Sequence, residues 1–101
     1  MSSVGRQTGR VDKDEARSVA EKMLADRLRG HGYEDLRQLV EHPEWFDSTG
    51  ESGTLYRVKV YGLWDEDEGG VLRVVAGADD GTKGFLGIVS PQQAVELLPP
   101  P

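Results

Sequence analysis

The chain contains no cysteine. Disulfides, thiolate nucleophiles and sulfur-ligated metals are therefore excluded, and nothing in the composition requires an oxidising compartment. Long apolar runs are missing as well, since no stretch approaches the roughly 20 residues of a membrane-spanning helix. The segment from Met1 to Arg10 lacks the apolar core of a signal peptide, so a cytoplasmic location is the expectation. Histidine occurs only as His31 and His42, eleven positions apart and in neither a metal-ligand nor a triad spacing, so both read as turn residues. No serine lies in a Gly-x-Ser-x-Gly elbow, and no glycine-rich phosphate loop follows a strand.

Positive charge is scarce and unevenly placed. The formal net charge is −6; residues 1–32 carry seven basic and five acidic side chains, and residues 33–101 carry five basic and thirteen acidic ones. Such a balance repels duplex nucleic acid and anionic membrane at long range, so neither is expected as a partner. At 37% hydrophobic and 30% charged, the 101 residues suffice for one folded core and are not those of a disordered chain.

Within that composition, Thr54 to Asp65 is the longest run that reads as strand. Tyr56, Val58, Val60 and Trp64 fall on one face, and Arg57, Lys59 and Tyr61 on the other. Asp65-Glu66-Asp67-Glu68-Gly69-Gly70 is polar and ends in glycines, as a hairpin turn requires, and Val71 to Ala78 offers the antiparallel partner. Setting Trp64 opposite Leu72 pairs Val60 with Ala76 and Val58 with Ala78. One face then gathers Tyr56, Val58, Val60, Trp64, Leu72, Val74, Ala76 and Ala78, and the other Arg57, Lys59, Tyr61 and Arg73. A slip of one residue mixes the cations into the apolar set.

Around this hairpin the expected fold class is α+β: a long amino-terminal helix packed on one face of an antiparallel meander of three or four strands, with short additional helices. Residues 1–10 read as a flexible arm, 11–98 as a single domain and 99–101 as a proline-rich tail. Asp12 and Glu15 have capping-box spacing, and Ala16, Val19, Ala20, Met23, Leu24 and Leu28 form the helix's apolar stripe, ended by Gly30 or Gly32. Tyr33 to Glu41 reads as a shorter helix stopped at His42-Pro43. Glu44 to Asp47 is taken as a short strand, the alternative being a loop whose two aromatics cap the core. Phe85 to Val89 reads as another strand. Ser90, Pro91 and Gln93 have the pattern of a helix start, which predicts a short terminal helix over 91–98.

Candidate chemistry is sparse. The acidic turn Asp65 to Gly70 suggests calcium, but an EF-hand register places Gly69 at its fifth position and Ala76 at its twelfth, so a solvated turn is preferred and no metal ligand, cofactor or catalytic residue is assigned. The cationic strand face of Arg57, Lys59, Tyr61 and Arg73 is the candidate ligand or partner surface. Ser52-Gly53-Thr54-Leu55-Tyr56-Arg57-Val58, Trp64-Asp65, Gly70, Arg73-Val74 and Asp79-Asp80-Gly81 together resemble the core pattern of a group of small uncharacterised prokaryotic proteins, over about a third of the chain. The likeness ends after Gly81, where that pattern runs to a tryptophan and this chain has Thr82-Lys83-Gly84, and it implies no activity. The functional expectation is a non-enzymatic interaction or accessory module that uses an open sheet face or edge, its partner being another protein or, by edge pairing, a second copy. A binder of a small anion or nucleotide on the cationic face is the alternative. A metal-assisted enzyme rests on acidic side chains alone.

Overall fold

The computed structural model describes residues 13–81 and 92–101. Helix α1 runs from Lys13 to Leu28, and four of its stripe residues, Ala16, Val19, Ala20 and Leu24, are buried, with Met23 and Leu28 packed beside them. Gly30 takes φ +77°, the left-handed conformation that lets the chain leave the helix. Tyr33–Leu36 forms a single helical turn, α2, which tightens into a 3-10 helix over Arg37–Val40. The second helix is thus present but irregular, and it buries Leu36 and Leu39.

Four antiparallel strands follow in the spatial order of the sequence: β1 (Glu44–Thr49), β2 (Leu55–Trp64), β3 (Leu72–Asp79) and β4 (Gln92–Leu98). The β2–β3 register pairs Trp64 with Leu72, Val60 with Ala76 and Val58 with Ala78, as the apolar alternation requires. Tyr56, Val58, Val60, Leu72, Val74, Ala76 and Ala78 are buried on the face that α1 and the 3-10 helix cover. Glu44 to Asp47 is strand, extended by two residues to Thr49; Phe46 turns inward to the core while Trp45 turns out.

One expectation needs correction. The terminal segment is not a helix: Gln92–Leu98 is β4, paired with β3 from Ala78↔Gln92 to Leu72↔Leu98. The Ser-Pro-x-Gln start signal is local and weak, whereas β3 buried between two partners needs a neighbour to satisfy its second row of backbone groups. Ala94 and Leu98 pack against the core and Val95 and Leu97 are exposed on the other face, with Glu96 the exception, an exposed residue on the inward set of this edge strand. Trp64 packs half-buried against the edge of the core beside the second helical segment, with its ring 6.4 Å from that of Tyr33 and 5.3 Å from the Arg37 guanidinium. The expected Asp12 cap, the Phe85 to Val89 strand and the amino-terminal arm lie outside the described residues.

Two close approaches fix how these elements meet. Gly62 sits in β2 where the 3-10 helix crosses, and a Cβ there would lie 3.1 Å from Val40 Cγ2 and 3.2 Å from the Val40 nitrogen. At the other end of the sheet, Glu15 spans from α1 to the β1–β2 turn. It accepts hydrogen bonds from the Ser52 backbone N–H at 2.8 Å, the Ser52 hydroxyl at 2.7 Å and the Tyr56 hydroxyl at 2.8 Å. Burial raises the Glu15 pKa, but these bonds and one from the Glu51 backbone outweigh it and hold the carboxyl below its ordinary value.

Candidate functional site

Side chains alternate across the sheet, so the face away from the helices is set by the same registers that build the core. It consists of rows across the strands: Asp47, Arg57 and Asp79; then Trp45, Lys59, Gly77 and Gln93; then Tyr61, Val75 and Val95; then Leu63, Arg73 and Leu97. All four residues singled out from the sequence, Arg57, Lys59, Tyr61 and Arg73, are brought onto this one surface.

Their electrostatics differ from those of a free cationic patch. Arg57 lies 3.8 Å from the Asp47 carboxylate, and Arg73 donates to Asp65 at the end of β2. Lys59 sits between two rings, its ammonium 5.5 Å from the centre of Trp45 and 5.0 Å from that of Tyr61. The Arg57 guanidinium lies 6.0 Å from the centre of the same indole, so Trp45 has two cations within reach of its ring. From β4, Gln93 donates to the Tyr61 hydroxyl at 3.2 Å, a bond that reaches across β3 where Gly77 presents no side chain.

The apolar content of the surface was not legible in the cationic quartet. Trp45, Leu55, Leu63, Val95 and Leu97 are the large hydrophobic side chains left exposed among the described residues, each 45–59% accessible, and every one of them lies on this face. Trp45 and Leu63 had a signal, since each alternates with an inward-facing neighbour, Phe46 or Trp64. Val95 and Leu97 had none while their segment was read as helix.

The remaining concavities carry less. A cleft of about 370 Å³ beside Trp64 is lined by Glu34, Arg37, Val40, His42 and Glu68, and Arg37, its one guanidinium, already pairs with Glu34 at 3.4 Å and covers the indole. His31 bonds the Asp35 carboxylate, one helical turn on. Among the described residues no group of three or more histidine and carboxylate side chains is placed to hold a metal ion, and no helix is long and apolar enough to cross a membrane. Compared with family models, curated proteins and solved structures, the chain matches none.

Proposed function

We propose that the protein is a non-enzymatic interaction module that engages a protein partner through the open face of its sheet. The observation that carries this reading is the segregation of the exposed apolar side chains: Trp45, Leu55, Leu63, Val95 and Leu97 share one surface, while the outer side of α1 is polar. Scattered exposed leucines need no explanation, but five large apolar side chains gathered on one face and interleaved with Arg57, Lys59 and Arg73 have the mixed composition of a protein interface. Arg57, Lys59 and Arg73 orient a partner instead of forming an anion pocket, because Asp47 and Asp65 neutralise the arginines and two aromatic rings flank the lysine.

Photo-cross-linking in cells tests this. A cross-linking amino acid placed at Leu63 or Val95 is expected to give an adduct of defined mass, and one placed at Lys22 on the exposed side of α1 none. Absence of any adduct from the face positions, or equal labelling from Lys22, defeats the reading.

A further inference from the structure

We infer that the occupant of the open sheet face is a second copy of this chain, stacked face to face; the inference rests on the proposed interaction role of that surface. Charge is its first support. The chain as a whole carries −6, so two copies repel over most of their surfaces. The open face is the exception: Arg57, Lys59 and Arg73 are matched there by Asp47, Asp65 and Asp79, three charges of each sign. The described residues of 33–81 and 92–101 hold only one other cation, Arg37, so three of the four cations described there lie on one surface. A partner of strong single-sign charge finds no complement on such a surface. A copy with the same balanced charges does, because a twofold interface brings a patch against itself and succeeds only when that patch is self-complementary.

Area is the second support. Four strands of about eight residues, spaced ~4.8 Å apart with a rise of ~3.4 Å per residue, present a flat footprint of roughly 500 Å². Two copies thus bury about 1,000 Å², at the lower bound for a specific interface, which points to a dimer that dissociates on dilution. Sheets stack at a spacing of ~10 Å with side chains interdigitated, and the face suits that geometry. Leu63, Val95 and Leu97 are exposed on it, while on the central strand between them Val75 is buried and Gly77 has no side chain.

Sedimentation equilibrium and amide NMR, both on the full chain, test the inference. The wild-type protein is expected to be a concentration-dependent dimer, with dilution moving the amide resonances of Lys59, Tyr61, Val75 and Val95 and leaving those of the exposed side of α1 in place. Leu63→Glu combined with Val95→Glu is expected to raise the dissociation constant at least tenfold. A wild-type chain that stays monomeric up to millimolar concentration overturns the inference. A dimer whose dilution shifts fall on the outer backbone of β1 or β4 also overturns it, in favour of edge pairing; this readout needs no variant, so a variant that fails to fold does not remove the test. Should the monomer be found, a cross-linked adduct at Leu63 with a mass other than twice the chain keeps the interaction role and discards the second copy. No adduct at all discards both.

Discussion

Tyr56 buries its ring in the core and donates its hydroxyl to Glu15 at 2.8 Å, so one side chain joins the start of β2 to the first turn of α1. The same carboxylate holds the β1–β2 turn through Ser52, and Gly50 makes room for it: a Cβ at Gly50 would lie 2.5 Å from the Glu15 carboxyl carbon. Arg27 does the corresponding work at the far end of the helix. Its guanidinium bonds both Glu44 oxygens, at 2.7 and 3.2 Å, and the bond to Glu44 raises its pKa against the opposing effect of burial. α1 is therefore tied to the sheet at both ends by charge-assisted bonds.

The Glu15 contacts give the stability a pH dependence. Because its pKa is lowered in the folded state, the contribution is complete above the unfolded value and is lost as pH falls through the folded one. Glu15→Gln is expected to melt below wild type at pH 7, and the gap should close as the pH drops below about 4.3, the usual glutamate value. Melting curves across that range check it. A gap that stays constant would show that the ionised form has no special role.

Gly62→Ala should destabilise by about 1–3 kcal/mol, the usual cost of overpacking. The neighbours at 3.1–3.4 Å include backbone atoms of Leu39 and Val40, which cannot rotate away. Urea denaturation measures the loss; a neutral substitution would mean that the 3-10 helix moves freely on β2.

Trp64→Ala should cost about 2–3 kcal/mol, below the ~3–5 kcal/mol of a fully buried aromatic. The ring is half-buried and retains contacts with Tyr33 and Arg37. Leu72→Ala, opposite it on β3 and fully buried, is expected to cost about 2–5 kcal/mol. Equilibrium unfolding of both variants should rank Leu72 at or above Trp64, and a loss below about 1 kcal/mol at Trp64 would contradict the packing described.

Combined replacement of Arg57, Lys59 and Arg73 by glutamine should leave the fold intact, since exposed charges on a sheet contribute only about 0.2–1 kcal/mol each. Arg57 and Arg73 are 65% and 43% exposed. Thermal shift with pyrophosphate separates the interaction role from anion binding. No stabilisation of wild type is expected, and a saturable rise that disappears in the triple variant would restore the anion-binding alternative.

Much of this was determined by the sequence alone. Period-two alternation from Tyr56 to Trp64 and from Leu72 to Ala78 dictated which faces of β2 and β3 meet, because a slip of one residue turns charged side chains into the core. The stripe from Ala16 to Leu28 likewise dictated which side of α1 meets the sheet. From these two patterns followed the α+β class and the outward position of Arg57, Lys59, Tyr61 and Arg73.

Only the tertiary structure decided the rest. Residues 92–98 follow a helix-start signal and show no clean alternation of their own, and over so short a span local preference is worth less than the ladder β3 offers. Glu15 has capping-box spacing, yet its carboxylate is committed to Ser52 and Tyr56, 37 and 41 residues away, and no local pattern reveals such bonds. The character of the open face was decided in the same way. Trp45, Leu63, Val95 and Leu97 come from three strands, and each alone looks like an ordinary exposed hydrophobe. Sheet order places them on one face with Arg57, Lys59 and Arg73, so that a face read from the sequence as cationic is a mixed one.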